Sequence, residues 1–427
     1  MTAAPPHRNR VIMGGAVHPT RGEGQSPRVE SKGSFMNVLV LNAGSSSLKY
    51  QLMNTETREV YAKGNCEKIG LERGIFGHKE DGKKVEEPAV FPDHGAAVKK
   101  VMETIEAAGL TMEAIGHRVV QGGWHFTDSA LVDDDVLAKI YEVAPLAPLH
   151  NYVEAGVIEF CRKAYPELPN VAVFDTSFHL KGMPAMAYTY ALPREVREKH
   201  HVRKYGAHGT SHRYEWKTAK EMLGNRCHRL LSCHLGAGSS LCAIEDGVCR
   251  DTTMGLTPLD GLIMGTRCGT IDPATVCYLQ REGGYTADEL DTMMNKQSGL
   301  LALYETTSDA RDIREAAANG DGRALFTLDT FAYRAMQQAG GMIATLAGVD
   351  TITFAGGIGE NDWATRAAFC EFFEWLGVRV DVEKNKECVG GKGGVISAAG
   401  SSVTVCVIPT DEEYMISLDV ERLVKGE

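Results

Sequence analysis

No apolar stretch in this 427-residue chain reaches the roughly 18–20 residues that a membrane span requires. The chain also lacks a G-x-x-x-x-G-K-S/T phosphate loop and a complete G-x-G-x-x-G turn, so the two commonest nucleotide signatures are absent. Its eleven cysteines are odd in number and never fall in C-x-x-C spacing. The fourteen histidines do not cluster with them along the chain, which argues against a structural zinc site and for reduced thiols in a cytoplasmic protein. Positive charge is in deficit: 45 Lys and Arg stand against 56 Asp and Glu, a net of −11, which excludes a nonspecific grip on nucleic acid. What remains is an ordinary globular composition, 43% hydrophobic and 24% charged, long enough for two or three domains.

Residues 1–35 differ from the rest. They are rich in Pro, Gly and Ser and carry five basic against two acidic side chains, a net of +3 that leaves −14 on the remainder. Their longest apolar run, Val11-Ile12-Met13, is too short for a secretory signal. The segment is expected to be a disordered extension ahead of a start at Met36.

From Met36 the pattern is one of strands and helices in alternation, which predicts an α/β protein. Asn37–Leu41, Leu48–Met53 and Glu59–Ala62 suggest a meander. Buried strands are expected at Ala114–Val120, Val171–Phe174, Arg229–His234, Thr351–Phe354 and Val403–Ile408. Helical spacing appears at Val98, Val101 and Ile105, and again at Val136, Leu137 and Ile140. Asp272-Pro273 predicts an N-cap followed by a first-turn proline, and Thr286–Glu289 a capping box. An Ala-Gly-Ser-Ser string occurs twice, at residues 43–46 and 237–240, each time after an apolar strand. It suggests two related α/β domains with a nucleotide between them.

Three small-residue turns offer backbone N–H groups to a phosphate: Asn42–Ser47, Gly236–Ser240 and Ala355–Asn361. Arg118 runs into Gly122-Gly123, and Arg267 lies between Gly265 and Gly269, contexts suited to gripping a carboxylate or phosphate. Asp175 sits at a strand end, where α/β proteins place reactive acids and also form turns. His200–His212 is surrounded by Arg194, Arg197, Lys199, Arg203, Lys204 and Arg213. That stretch reads either as a solvated helix end or as a cationic loop facing an anion.

In order along the chain stand Asn42-Ala-Gly-Ser-Ser-Ser-Leu-Lys49, Gly116-His-Arg-Val-Val-Gln-Gly-Gly123, Ala147-Pro-Leu-His-Asn151 and Val173-Phe-Asp-Thr176. Then follow Tyr205-Gly-Ala-His-Gly-Thr-Ser-His212, His234-Leu-Gly-Ala-Gly238, the stretch from Asp251 to Leu259, Met264-Gly-Thr-Arg267, Gly356-Gly-Ile-Gly-Glu-Asn361 and Ile408-Pro-Thr-Asp-Glu-Glu413. From Met36 almost to its end, the chain resembles the acetokinase family. The resemblance implies two actin-like (ribonuclease H-like) domains closing over ATP: residues 36–178 completed by a C-terminal helix at 414–427, and 179–413 as the nucleotide-binding domain. It implies ATP-dependent phosphorylation of acetate to acetyl phosphate, with Mg²⁺, in a cytoplasmic homodimer that engages neither membrane nor nucleic acid. Propionate or butyrate, and pyrophosphate as donor, are the alternatives.

Carried over by residue, Asp175, His208, Arg267 and Arg118 take catalytic positions, and Asn42 and Glu412 (or Glu413) the metal positions. Arg118, Val120, Leu149, His150, Ala207 and Pro258 would hold the acid. Lys49, His234, Leu235, Gly236, Ala237, Gly238, Asp309, Ala310, Arg311, Gly357, Ile358, Gly359, Glu360 and Asn361 would hold the nucleotide. Replacing either arginine with Ala is expected to cut turnover without disturbing the fold. Four positions depart from the family pattern: Ala237 for Asn, Thr270 for Asp or Asn, Tyr152 for Pro and Ala207 for Phe. Ala207 leaves either a larger acyl pocket or a gap refilled by Tyr152 or by a Met or Leu side chain.

Overall fold

Two sheets, each flanked by helices, organise the chain; the computed structural model describes residues 36–80 and 82–427. The expectation of a disordered extension over 1–35 lies outside the described residues. The first sheet contains β1 (Asn37–Gly44), β2 (Ser47–Asn54), β3 (Val60–Glu67), β4 (Gly74–Glu80), β5 (Lys83–Ala89), β6 (Ala114–Val119), β7 (Ala130–Leu131) and β8 (Asn170–Phe174), in the order 5-4-3-2-1-6-8-7. The second contains β9 (Arg229–Leu235), β10 (Ser239–Glu245), β11 (Val248–Thr252), β12 (Thr351–Ala355), β13 (Gly394–Val395) and β14 (Thr404–Val407), in the order 11-10-9-12-14-13.

Six strands of the first sheet match the six of the second in order, and β4 and β5 extend the first sheet beyond them. An antiparallel meander, β3-β2-β1 or β11-β10-β9, continues through two parallel strands and ends on a short antiparallel one. The expected internal duplication is therefore present in the topology. The repeated Ala-Gly-Ser-Ser string, however, does not mark equivalent turns. In the first sheet Asn42–Gly44 belong to β1 and the turn is only Ser45-Ser46, whereas in the second Gly236–Gly238 form the turn and Ser239 already starts β10. The third expected turn is also corrected: Gly356–Asn361 is a short helix that follows β12 directly.

Central strands are buried on both faces because helices cover both sides, so they read as continuous apolar runs. Val98, Val101 and Ile105 of helix His94–Ala107 pack with Leu39, Leu41 and Ile115 on one face of the first sheet. On the other face, Ile416 and Val420 of the C-terminal helix Glu412–Val424 pack with Val38, Val40, Ala114, Val171 and Val173. Gly116 permits this approach, since a Cβ there would lie 2.7 Å from Val420 Cγ2. Helix Gly322–Thr345 covers one face of the second sheet through Leu328, Phe331, Ala335 and Ala339, packed against Leu231, Leu241 and Phe354. Arg213 of helix Gly209–Leu223 pairs with Asp419 of the C-terminal helix at 2.8 Å, tying the last helix to the chain's middle.

The capping box at Thr286 forms as expected. Helix Ala274–Glu282 starts one residue later than predicted, with Pro273 at the cap position, although Asp272 Oδ1 still accepts the Ala274 N–H. Strands β4 and β5 escaped the reading. β5 carries four charged residues in seven and is almost fully exposed at the sheet edge, where charge blocks edge-to-edge pairing and erases apolar alternation.

Candidate active site

Parallel strands end on the same edge of a sheet, and that edge is where open α/β sheets place ligands. Leu41 of β1 pairs with His117 of β6, and Arg118 with Val173 of β8, so Asn42, Arg118 and Asp175 emerge together. The Arg118 guanidinium donates through Nη2 to Asp175 Oδ2 at 2.6 Å and through Nε at 3.1 Å, and through Nη1 to Asn42 Oδ1 at 3.3 Å. Glu412, from the first turn of the C-terminal helix, lies 3.7 Å from Arg118 Nε. Two carboxylates therefore surround one guanidinium. Asp175 is 1% exposed, and its Oδ1 accepts a further 3.3 Å bond from Thr210. Burial pushes Glu412 up to about 7, against the lowering effect of Arg118. Glu413 follows it on the helix and adds to the local acidity. Lys49 is exposed on β2, paired across the hairpin with Asn42.

The second sheet repeats the construction. Beyond β9 the turn Gly236-Ala237-Gly238 faces the helix that follows β12, and a Cβ on Gly236 would lie 3.5 Å from Gly357 N. Gly356 has φ +76, and a Cβ there would meet Leu235 O at 2.7 Å, so only glycine fits the join. Glu360 Oε1 accepts from Gly356 N and Thr410 N, both at 3.0 Å, and Asn361 Nδ2 donates to Gly357 O. Glu360 and Asn361 thus spend their polar atoms holding the turn, while Gly357 has open space around it; Ile358 and Gly359 lie behind, turned to the protein. Gly265 N donates to Ala237 O at 3.0 Å, and a Cβ on Gly265 would lie 3.7 Å from Ser308 Cβ. Next along, Asp309 caps helix Ala310–Ala318 and pairs with the exposed Arg311 at 2.6 Å.

Between the two edges stand His208 and Arg267. A Cβ added to Gly238 would lie 3.3 Å from His208 Nε2 and 3.5 Å from Arg267 Nη1, so turn, imidazole and guanidinium converge on one point. His208 adopts a left-handed backbone (φ 57) at the start of helix Gly209–Leu223, and its Nδ1 shares a 2.9 Å hydrogen bond with Ser240 Oγ. Burial, His234, His212 and both arginines push its pKa well below the ordinary value, so its imidazole is neutral. His234, its ring tilted 36° to that of His208 at a centroid distance of 4.3 Å, is likewise lowered to about 4 by burial and Arg118. Arg267 has no carboxylate partner among the described residues. It donates only to Pro258 O at 3.3 Å and to Met264 Sδ at 3.6 Å, and burial lowers its pKa. A half-buried cation without a counter-ion is costly unless an anion joins it. His150, ahead of helix Asn151–Ala164, feels the charges of both Arg118 and Arg267 after burial, all of which lower its pKa.

The remaining predicted residues fall around this point. Val120 is buried beside Arg118's strand, and its N–H donates to Glu154 Oε2 at 3.0 Å. Ala207 is buried against Met254 and Met264, whereas Tyr152 and Leu149 are about half exposed. The methionine contacts support the refilled reading of Ala207 over the enlarged one. Thr270 bonds Asp260 Oδ1 at 2.6 Å and accepts from Gly261 N, which gives its hydroxyl a structural use. The cationic-loop reading of 194–213 is corrected: Arg194 pairs with Glu198, Lys204 with Asp251 and Arg213 with Asp419, while Arg203 lies over Tyr188. Three of the six basic side chains are thus matched by carboxylates, and Arg197 donates to the Leu192 carbonyl.

A supporting chain was missed by the sequence reading. Ser240 bridges His208 to His212 Nε2 (2.8 Å), His212 Nδ1 meets Ser232 Oγ (2.6 Å), and Ser211 links His234 to Thr410. Each of these residues is polar and buried or nearly so, yet only the fold brings them together. Beneath them lies Glu215, whose Oε2 accepts from Thr353 at 2.6 Å while Oε1, without a hydrogen-bond partner, lies 3.7 Å from His212 Nδ1. Burial pushes Glu215 up to about 8. The folded state therefore holds a proton that the unfolded chain releases near 4.5, and stability should fall as pH rises from 4.5 to about 8. Glu215→Gln, which cannot ionise, is expected to flatten this slope. Thermal midpoints from pH 5 to 8 should show the variant gaining on the wild type; parallel curves would contradict the assignment.

Comparison with known proteins agrees with this architecture. The model of the Acetokinase family matches residues 37–418. An acetate kinase of Helicobacter hepaticus is 45% identical over 399 residues, covering 91% of this chain and 99% of its own length. One from Anoxybacillus flavithermus is 47% identical over 393 residues, covering 90% and 98%. The crystal structure of Porphyromonas gingivalis acetate kinase superposes with a TM-score of 0.85 at 39% identity, covering 91% of this chain and all of that one. A propionate kinase from Francisella tularensis gives 0.85 at 38%, covering 90% and 98%. Family match, near full-length relatives and a shared two-sheet architecture lead to one conclusion: this chain belongs to the acetokinase family.

Proposed function

We propose that the protein transfers the γ-phosphoryl group of ATP to acetate, forming acetyl phosphate reversibly. The observation that carries this reading is Arg267, a half-buried guanidinium without a carboxylate partner, held beside neutral His208 and the Gly238 turn. Phosphoryl transfer asks for positioning and charge neutralisation more than for covalent help, because its transition state spreads negative charge over equatorial oxygens. Arg267 supplies that charge, and His208, its Nδ1 bonded to Ser240, turns Nε2 to the same point, where in its Nε2–H tautomer it would donate a hydrogen bond. Arg118, gripped by Asp175, keeps one guanidinium face for the acetate carboxylate, with His150 beside it. An ionised carboxylate needs no base, so Asp175 acts by orienting Arg118 and not by taking a proton.

The acyl methyl group is assigned to Val120, Leu149, Ala207 and Pro258. The nucleotide is assigned to Lys49, His234–Gly238, Asp309–Arg311 and Gly357–Asn361, chiefly through the backbone of the open turns. Asn42 and Glu412, with Asp175 near, provide hard oxygen donors and an excess of negative charge, which suit Mg²⁺. Bound there, Mg²⁺ would neutralise charge on the phosphates. We assign residues 36–178 with 414–427 to one lobe and 179–413 to the other. The exposed Tyr278, Phe326 and Tyr333 support a homodimer, and eleven free thiols support a cytoplasmic home.

Acid preference follows from the methionines. Because Met254 and Met264 close on Ala207, the pocket should suit two carbons, and each further methylene forfeits up to ~0.8 kcal/mol of burial. Specificity constants should therefore rank acetate above propionate above butyrate, with ATP far above pyrophosphate. Ala207→Phe would drive a ring into the two methionines and lower kcat/KM for all three acids. A wild type that favours butyrate, and regains acetate preference in Ala207→Phe, would show an enlarged pocket instead.

A further inference from the structure

Away from the phosphoryl site, the fold gathers three side chains that sequence spacing keeps apart. His179 lies in the short helix Ser177–Leu180, Cys242 on β10 and Cys249 on the neighbouring β11. Cys242 Sγ and Cys249 Sγ are 3.6 Å apart, and His179 Nδ1 lies 3.3 Å from Cys249 Sγ and 3.9 Å from Cys242 Sγ. All three are buried to 1% exposure or less, in an apolar layer with Met183, Leu230 and Ile244. Among the described residues this is the one group of three or more His, Cys, Asp or Glu side chains whose ligand atoms lie within 4.8 Å of one another.

We propose that His179, Cys242 and Cys249 form a binding site for a single thiophilic d¹⁰ cation of the zinc group, separate from the Mg²⁺ position. The donor triangle already has the needed size. With Zn–S near 2.3 Å and Zn–N near 2.0–2.1 Å, tetrahedral angles require about 3.8 Å between sulfurs and about 3.6 Å from nitrogen to each sulfur. The observed edges of 3.6, 3.3 and 3.9 Å bracket those values. The imidazole is also turned the right way. His179 Nε2 donates to the Ala207 carbonyl at 2.8 Å, so Nδ1 is the atom turned to the sulfurs, and the proton it shares with Cys249 leaves when a cation binds. An imidazole whose distal N–H is fixed by a backbone carbonyl is the usual support for a metal-bound histidine.

Only one thiol is primed by the same geometry, for burial and Cys249 hold Cys242 well above the ordinary thiol range, and its proton leaves only when a cation binds. Burial alone would raise Cys249, but the bond from Cys242 and the proximity of His179 bring it down to about 6. Soft thiolates with an imidazole select zinc-like cations over Mg²⁺. On binding, both sulfurs coordinate as thiolates and their two protons pass to solvent. Cys-spacing rules miss this site because its ligands come from three elements, the first 63 residues before the second. A cation here would also fix the Ala207 carbonyl, next to the left-handed backbone of His208.

The test uses the full chain, reduced and stripped with a chelator, then titrated with Cd²⁺. One cation per chain should bind, with a thiolate-to-metal charge-transfer band and a raised thermal midpoint, and Mg²⁺ should not compete. Cys242→Ser and Cys249→Ser should each lose the band and the shift. Binding without such a band, or a band that survives in both variants, would overturn the proposal. Should the variants fail to fold, X-ray absorption on the zinc-loaded wild type decides: a shell of two sulfurs and one nitrogen supports the site, and a shell of only oxygen and nitrogen refutes it.

Discussion

Arg267→Ala should lower turnover with ATP and acetate by ~10³-fold while leaving the thermal midpoint unchanged or slightly raised. The catalytic loss follows from removing an arginine that neutralises the transferring group, an interaction made mainly in the transition state. The unchanged stability follows from its surroundings: the guanidinium holds only a carbonyl oxygen and a thioether, so its removal orphans no buried carboxylate. KM for both substrates should move far less than kcat. A variant with near-normal turnover, or one that unfolds, would remove Arg267 from its assigned place.

Arg118→Ala should behave differently, although sequence alone treats the two arginines alike. Turnover should again fall by roughly a hundredfold or more. Here, however, the buried pair adds an expected loss of stability. Arg118 is the principal partner of Asp175, which is 1% exposed, and it also faces Glu412. Removing one member of a buried pair strands the other charge and costs about 3–5 kcal/mol. The variant should therefore melt several degrees lower at neutral pH. Asp175→Asn in the same background should recover part of that loss by discharging the stranded carboxylate, without recovering activity. Arg118→Lys should not restore turnover either, because an ammonium cannot hold Asp175 with two parallel bonds. Identical melting of wild type and Arg118→Ala would contradict the pairing.

The contrast between the two arginines shows what could and could not be read from the sequence. Arg118, Asp175 and His208 were legible because strand ends and glycine-flanked turns are local patterns, and the parallel topology then brings those ends together. The repeated Ala-Gly-Ser-Ser string pointed to a true duplication, yet the first turn closes later than the string implies because β1 and β2 pair out to Gly44 and Ser47. Long-range choices were not legible. Nothing around Arg118 in the chain says that it is already paired, and nothing around Arg267 says that it is not. Met254 and Met264 reach Ala207 from more than forty residues away, and Ser240 joins His208 to His212 only when β10 packs beside helix Gly209–Leu223. The basic stretch at 194–213 misled in the opposite direction, since three of its six charges are answered by Glu198, Asp251 and Asp419.

The central claim is that Arg118, Asp175, His208 and Arg267, set between two matched sheet edges, pass phosphate from ATP to a carboxylate. It is tested most directly by trapping the product with hydroxylamine in a reaction containing purified protein, ATP, Mg²⁺ and acetate. The account predicts acetyl hydroxamate formed one-for-one with ADP, absent without acetate and reduced ~10³-fold in Arg267→Ala. ADP released without hydroxamate, or hydroxamate formed equally well by wild type and Arg267→Ala, would contradict it.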